Sequence, residues 1–186
     1  DVIQAALEVF EELPANFIPG HPIAGSEQSG FEHSVEQLYK NRKVILTPTE
    51  KTAASASDAI TKMWESVGAN VDLMSAGKHD AILSATSHLP HMVAYNLVNY
   101  LGQRDASEGV FNYAAGGFYD FTRIASSDPT MWADICVANK DEIINSIDGF
   151  IACFEELKQK IVDQDESALH ASFELAKQLR DKNLKK

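Results

Sequence analysis

The stretch KVILTP, residues 43–48, carries the clearest information about the fold. Its apolar and β-branched residues, closed by a proline, are typical of a buried strand. Apolar residues over 50–67 then recur at helical spacing up to Gly68, which can end a helix. NVDLM at 70–74 has the composition of another strand. The stretch 43–74 therefore predicts a strand, a helix and a strand in succession.

The residues before this stretch extend the alternation. Apolar residues recur at helical spacing over 1–13, and Pro14 is expected to end that helix. Residues 17–18 are predicted to be a short strand that leads into GHPIAG at 20–25. Alternation of helix and strand over 1–74 predicts part of a parallel α/β sheet.

The residues after 75 show no further strand pattern and predict helices. One helix is expected over 78–101, with a kink at Pro90. Residues 106–126 are glycine-rich in the middle and predict a broken helix, and a final helix is expected over 165–181. The second half of the chain is therefore expected to be all-helical.

Another helix is expected to begin at SDP, residues 127–129, which combines a capping side chain with proline in the first turn. From Met131 to Ile161, apolar residues recur mostly at steps of four and three and form a long seam. We expect this seam to be a core within the chain rather than a dimer interface.

Composition restricts the class of function. The 186 residues include 16 Lys and Arg and 27 Asp and Glu, which gives a formal net charge of −11. This charge argues against a nucleic-acid partner, and it means that a small anionic substrate would need a local arginine. No apolar run approaches the roughly 20 residues of a membrane span.

Three features bear on location and completeness. Cys136 and Cys153 lie in helical sequence and are expected to be reduced core residues. The first residues are amphipathic and acidic, unlike a signal peptide, so we expect a cytoplasmic protein. Because position 1 is not Met, we expect the chain to be a piece of a longer protein.

Histidine is the usual general base near neutral pH, and the chain contains six. His21 lies in GHPIAG after a predicted strand, where α/β sheets place their ligands. Its surroundings leave two roles open, a general base or a residue that rigidifies the loop. His88 and His91 share a helix face two turns after His79 and Asp80, so the zinc site of a metal-dependent hydrolase also stays open.

The segment GGFYDFTRIA, residues 116–125, combines glycines with an acid–base pair. Glycine lets a backbone approach a ligand closely, and arginine binds carboxylates in a bidentate fork. Asp120 and Arg123 could instead form a surface ion pair of little energetic value. Their apolar neighbours predict a half-buried Arg123 that binds a carboxylate. Trp132 lies in the first turn of the next helix, where spacing alone predicts a core residue.

Several motifs together resemble the prephenate dehydrogenase family, which includes arogenate and cyclohexadienyl dehydrogenases. They follow the family's order from about residue 17 to 140, and they are HPIAGSEQSGF, KVILTP, HD at 79–80, SHLPHMVAYNLV and GGFYDFTRIASSDPTMWADI. The resemblance implies a mainly helical chain, an α/β remnant of a Rossmann-type domain followed by an all-α dimerisation domain. Residues 1–74 would be the C-terminal part of the NAD(P)-binding domain, and 75–186 the helical substrate-binding and dimerisation domain.

The resemblance also implies an activity. It is the oxidative decarboxylation of prephenate to 4-hydroxyphenylpyruvate in tyrosine biosynthesis, with hydride transfer to NAD or NADP. Arogenate or dual specificity are the alternatives, and a non-catalytic helical dimerisation module is a more remote one. A homodimer and feedback by tyrosine are implied as well. This piece contains no GxGxxG motif and is expected to be inactive alone.

Roles for single residues follow from the same resemblance. His21 would be the catalytic histidine that hydrogen-bonds the C4 hydroxyl, and Arg123 would bind a substrate carboxylate. The other expected substrate-binding residues are His91 in the pocket, Asp120 beside it, Glu27 at the entrance, Gly116 through its backbone, and Trp132 from the partner subunit.

The resemblance assigns two more positions to the cofactor. Ser26 and Ser87 would lie near the nicotinamide. His79 and Asp80 form a recurring HD pair to which we assign a structural role, and no metal ligand is expected.

Overall fold

One sheet of three strands lies in the first part of the computed structural model, which describes residues 2–25 and 30–184. The strands are β1 (Gly20–Pro22), β2 (Lys43–Leu46) and β3 (Asn70–Leu73). They follow one another across the sheet in the order β1-β2-β3.

β2 and β3 are the parallel pair that the sequence predicts. Val44 lies opposite Val71, and helix α2 (Ala54–Ser66) connects the two strands. Val44 and Leu46 are fully buried and form the centre of a core that α2 covers with Trp64. Burial of two aliphatic side chains contributes about 1.5–3 kcal/mol each, so this small core holds the pair together.

β1 departs from the predicted parallel arrangement because it pairs with β2 in the antiparallel direction. His21 lies opposite Ile45. Among the described residues between β1 and β2, the only helix is a 3₁₀ turn at Phe31–His33, and antiparallel neighbours need no crossover helix.

The strand predicted at 17–18 is also wrong, since the strand begins at Gly20. The Phe17 N–H donates to the carbonyl of Pro14 at 2.9 Å, and its own carbonyl accepts from the Thr52 hydroxyl at 3.2 Å. Phe17 therefore closes a local turn instead of joining the ladder.

Helix α1 (Val2–Phe10) is shorter than the predicted 1–13. Glu11 has a φ of 60°, in the left-handed region that side chains other than glycine rarely adopt. The helix therefore ends before Pro14.

The residues after 75 are helical throughout their described part, as the sequence predicts. The α-helices are α3 (Ala76–Leu83), α4 (Leu89–Glu108), α5 (Gly116–Thr122), α6 (Pro129–Ala138), α7 (Lys140–Val162) and α8 (Glu166–Asn183). Two 3₁₀ turns, Val110–Tyr113 and Arg123–Ser126, flank α5 and form the broken helix expected there.

The helix predicted over 78–101 is interrupted just before Pro90. Residues Ser84–His88 form one π-helical turn between α3 and α4. Pro90 has no N–H to donate, and π-turns are one way to absorb such a defect. Ser84 is fully buried there, and its hydroxyl donates to the carbonyl of Glu142 at 2.7 Å. The π-turn is therefore anchored to the start of α7.

The start predicted at 127–129 is confirmed, but the long helix after it is two helices. The carboxylate of Asp128 accepts from the N–H groups of Thr130 and Met131, and Pro129 is the first residue of α6. α6 ends at Ala138, and Asn139 separates it from α7.

The chain divides into two compact units, Asp1–Ile143 and Ile144–Lys186. In the second unit the apolar seam is not an intramolecular core, because Phe150, Phe154 and Ile161 are 38%, 61% and 57% exposed. The predicted change of fold type at 74/75 stays a prediction. None of the helices in the described ranges is both long enough and apolar enough to span a bilayer.

Candidate active site

His21, on β1, meets the helix that follows β3. Its Nδ1 atom lies 2.9 Å from Nε2 of His79, and the two ring centroids are 5.1 Å apart. His79 is on the first turn of α3, whose N-terminus is capped by the Ser75 hydroxyl. Because α/β sheets bind ligands at the carboxyl ends of their parallel strands, this contact stands where a ligand site is expected.

Asp80 links this pair to the start of α7. Its Oδ1 atom lies 2.8 Å from Nδ1 of His79. Its backbone carbonyl accepts from the Asn139 side-chain amide at 2.9 Å, and that amide lies 3.3 Å from Nδ1 of His88. Four elements, β1, α3, the π-turn and the α6–α7 junction, are thus joined by polar side chains.

His91 and Trp132 lie next to His88, at the end of this set of polar side chains away from His21. Their rings stack at 3.7 Å with an interplanar angle of 24°, and His88 meets the same indole edge-on at 6.0 Å. Nδ1 of His91 lies 2.9 Å from the carbonyl oxygen of Ser87, which can only accept. His91 therefore carries its hydrogen on Nδ1 and leaves Nε2 for another partner.

We call His21, His79, His88 and His91 the histidine cluster. His21 is exposed, but the protein around its ring removes part of the surrounding water, and this desolvation, followed by the neighbouring His79, lowers the pKa of His21 from its usual 6.5. The pKa of His88 is also lowered, chiefly by burial and then by His21 and His79, while Asp80 opposes the shift. The environment therefore favours neutral imidazoles for these two residues near pH 7, which is the form that accepts a proton.

The Arg123 segment, defined as α5 with the 3₁₀ turn Arg123–Ser126, packs on α4, the helix that carries His91. The Tyr95 hydroxyl donates to the carbonyl of Ser127 at 2.8 Å, which fixes the end of this segment on α4. α4 therefore connects the Arg123 segment to the histidine cluster.

The prediction of a half-buried Arg123 is wrong, because both Arg123 and Asp120 are exposed. The apolar neighbour Phe121 is itself 47% exposed. A Cβ atom added to Gly116 would meet no atom within 4 Å, so packing within the chain does not require glycine there.

The other predicted site residues fall into three groups. Ser26 and Glu27 lie outside the described residues. Ser87 is half-buried in the π-turn, where its carbonyl faces His91. Trp132 is buried against His91 of its own chain, with no hydrogen-bond partner for Nε1 among the described residues. Its expected reach from a partner subunit stays a prediction.

Sequence reasoning missed the contacts of His79 and Asn139. The HD motif marked His79 and Asp80, but nothing in their spacing indicated that His79 would reach back to a strand residue 58 positions earlier. Asn139 is a polar residue within the apolar seam between Met131 and Ile161, and such an interruption is the signal that could have identified it.

The described residues contain no group of three or more His, Cys, Asp or Glu side chains arranged to hold a metal ion. The alternative of a zinc-dependent hydrolase therefore has no ligand set in this part of the chain.

Two family models match the chain. The model described as "Prephenate dehydrogenase, nucleotide-binding domain" covers residues 2–73, and "Prephenate dehydrogenase, dimerization domain" covers residues 75–175. The cyclohexadienyl dehydrogenase of Zymomonas mobilis subsp. mobilis is 37% identical over 173 residues, which are 91% of this chain and 59% of that protein. The prephenate dehydrogenase of Bacillus subtilis is 39% identical over 169 residues, 89% of this chain and 45% of that protein.

A solved structure of the same family is also similar to this chain. The prephenate dehydrogenase of A. aeolicus, crystallised in complex with hydroxyphenyl propionate and NAD+, superposes with a TM-score of 0.86 at 44% identity, over 89% of this chain and 58% of that one. The chain thus spans roughly half the length of the relatives it matches. Since the dimerization-domain model alone matches more than half of the 186 residues, the chain belongs to the prephenate dehydrogenase family.

Proposed function

We propose that the full-length protein catalyses the NAD(P)-dependent oxidative decarboxylation of prephenate to 4-hydroxyphenylpyruvate, in tyrosine biosynthesis. The observation that carries the proposal is the placement of His21. One nitrogen of its ring faces His79 at 2.9 Å, so the other nitrogen, Nε2, is the one available to a substrate hydroxyl. The prephenate dehydrogenase of Bacillus subtilis and the ligands crystallised with the A. aeolicus enzyme, hydroxyphenyl propionate and NAD+, support the choice of substrate and cofactor.

His21 would serve as the general base. Its Nε2 atom accepts the proton of the C4 hydroxyl as C4 loses its hydride, and CO2 then leaves the ring carbon that carried the carboxylate. The electrons of that bond make the ring aromatic, and the same proton returns from His21 to the phenolate oxygen. The lowered pKa of His21, caused chiefly by desolvation, keeps it ready to accept a proton near pH 7.

Substrate binding would fall to the Arg123 segment and the stacked pair. Prephenate is a dianion and this chain is acidic, so a cationic group must draw it in, and Arg123 can bind a carboxylate through two parallel hydrogen bonds. Asp120 would orient that group, Gly116 would offer open space beside the substrate, and His91 would present Nε2 with its ring held against Trp132.

The described residues fit the nicotinamide end of the cofactor. The carboxyl ends of β2 and β3 lie beside the contact of His21 with His79, and Ser87 is half-buried in the adjoining π-turn. No glycine-rich phosphate-binding turn is present in this sequence, so the rest of the cofactor needs the remainder of the protein. When bound, NAD or NADP would supply the hydride acceptor. Glu27 and Ser26 keep their predicted roles, at the pocket entrance and near the nicotinamide.

We propose further that two copies associate through the apolar seam. Its side chains on α7 are exposed within one chain, and the matched model describes a dimerization domain. Cys153 is exposed, so its prediction as a core residue is wrong, and Cys136 is half-buried. Both are free thiols, which supports a reducing, cytoplasmic location. A single-chain molar mass for the full-length protein in solution would contradict the association.

Steady-state kinetics of the full-length protein with prephenate and with arogenate, each with NAD and with NADP, test the activity. We expect turnover of prephenate, and turnover of both substrates would favour dual specificity, which the name of the Zymomonas relative supports. Addition of tyrosine to the same assay tests feedback. No turnover in any of the four combinations would overturn the proposed activity.

A further inference from the structure

His79 and Asp80 lie behind His21 in a line of two hydrogen bonds. The first joins His21 Nδ1 to His79 Nε2 at 2.9 Å, and the second joins His79 Nδ1 to Asp80 Oδ1 at 2.8 Å. Each contact uses a different nitrogen of His79. The line ends on a carboxylate, which only accepts hydrogen bonds when it is ionised.

The order of these contacts fixes where the hydrogens lie. Asp80 accepts, so His79 Nδ1 must donate. A neutral His79 then has a lone pair on Nε2, and His21 Nδ1 must donate to it. A neutral His21 with its hydrogen on Nδ1 has its own lone pair on Nε2. The carboxylate of Asp80 therefore determines, through one intervening ring, which nitrogen of His21 can accept a proton.

We propose that His79 and Asp80 are positioning residues that hold His21 in the tautomer with its proton on Nδ1 and its acceptor nitrogen, Nε2, directed to the substrate. This inference rests on the proposed function and replaces the merely structural role that the motif indicated. In serine proteases an aspartate acts in the same way on a catalytic histidine, but directly rather than through a second ring.

The pair is itself held in place. The side chain of His79 is only 19% exposed, and the Ser75 cap fixes the turn that carries it. Asn139 donates to the backbone carbonyl of Asp80 at 2.9 Å and so ties α3 to the α6–α7 junction. Orientation by such partners is what a base requires, because proton transfer depends on a hydrogen bond of defined length and direction.

The same arrangement stabilises the charge that develops during the reaction. When Nε2 of His21 accepts the hydroxyl proton, the ring becomes a cation whose Nδ1–H still donates to His79. The negative charge of Asp80 then attracts this cation across His79. No proton has to pass along the line, and the proton on Nε2 leaves again to the product oxygen.

Replacement of Asp80 by Asn in the full-length enzyme tests the inference. An amide can donate as well as accept, so the hydrogen on His79 is no longer determined. We expect kcat to fall about 10- to 100-fold with KM nearly unchanged, the size of effect seen when a metal-bound histidine loses its carboxylate partner. Asp80→Glu should restore part of the rate, and Asp58→Asn on the exposed face of α2 serves as the matched control.

The pH profile separates positioning from a structural role. Within residues 2–25 and 30–184, the titratable groups that the structure brings to His21 are His79, Asp80 and His88. Loss of the Asp80 charge makes the His21 cation less stable, so the acid limb of kcat/KM should move to lower pH. A fall in kcat with an unmoved acid limb would contradict the inference.

Nitrogen-15 NMR of the histidine rings gives a readout that does not depend on turnover. In the wild-type protein near neutral pH, His21 should carry its hydrogen on Nδ1 and an unprotonated Nε2, with assignment by comparison with His21→Asn. A hydrogen on Nε2 of neutral His21 would overturn the inference even if the enzyme is active. The spectrum reports the tautomer of His21 in the wild-type protein, so it tests this inference even if the proposed activity fails or Asp80→Asn does not fold.

Discussion

The histidine cluster and the Arg123 segment both adjoin α4, which carries His91 and packs against α5, and they are built differently. Histidines of the cluster are held by hydrogen bonds from β1, α3 and the π-turn, and desolvation lowers the pKa of His21 and His88. Arg123 and Asp120 are exposed on a short helix and a 3₁₀ turn. His21 and Arg123 are both exposed, so the difference lies in how each is held: the ring of His21 lies in a line of side-chain hydrogen bonds, whereas Arg123 lies on a short 3₁₀ turn.

The sharpest test of this contrast is His21→Asn in the full-length enzyme. Asparagine has no group that takes up a proton near neutral pH, so we expect kcat to fall at least about 100-fold, the usual contribution of a general base. Steady-state kinetics would measure it, with His170→Asn on the exposed face of α8 as the control. Near-normal turnover of the variant would remove His21 from the mechanism.

Arg123→Ala tests the other region, the Arg123 segment, and should change substrate binding. Hydrogen bonds to a charged group contribute about 1.5–3 kcal/mol, so we expect KM for prephenate to rise roughly 10- to 150-fold, with a smaller change in kcat. Arg180→Ala on α8 is the matched loss of one positive charge. If KM stays the same while kcat falls, Arg123 does not act as the carboxylate-binding group.

Much of the fold could be predicted because its signals are local. The buried strand at Val44 and Leu46, the helix after it and the capped start at Asp128 each depend on neighbouring residues. The antiparallel direction of β1 depends on the connection between strands, and strand composition carries no information about it. Residues 17–18 have strand composition but close a turn, since Pro14 and Thr52 take their backbone groups.

The candidate site shows the same distinction between features set by neighbouring residues and features set by long-range contacts. His21, His91 and Trp132 were found by motif, but the contact of His21 with His79 joins residues 58 positions apart and could not be read from spacing. Exposure of Arg123 was also predicted wrongly, because apolar neighbours on a short helix cover a side chain only when another element packs over them. Long-range packing decides both features.

The two regions should also respond differently to pH. His21 must be neutral to accept a proton, and its pKa is lowered from 6.5 chiefly by desolvation and next by His79. We expect kcat/KM to be constant near pH 7 and to fall on an acid limb that lies below 6.5, by about tenfold per unit once His21 is charged. Arginine keeps its charge throughout this range, so the Arg123→Ala variant should retain the same limb. An acid limb above 6.5 would show that another group is titrated.

The smallest expected effect is on the thermal stability of the protein. It depends on the histidine cluster and not on the Arg123 segment. His21 and His88 both have lowered pKa values in the folded protein, so the unfolded chain binds more protons as the pH falls below 6.5. By linkage, the stability that these neutral rings contribute is present above 6.5 and is lost as the pH falls through their folded pKa values. We therefore expect Tm to decrease gradually from pH 7 to pH 5.

Thermal unfolding of wild type, His88→Asn and Arg123→Ala across this range measures the effect. His88→Asn should flatten the slope of Tm against pH, because one of the two coupled imidazoles is gone, whereas Arg123→Ala should leave the slope unchanged. Two results would contradict this prediction: an unchanged slope of Tm against pH in His88→Asn, or an equal reduction of that slope in Arg123→Ala. Either would mean that the histidine cluster is not where folding and protonation are linked. The stability of the histidine cluster would then depend on pH no more than that of the Arg123 segment.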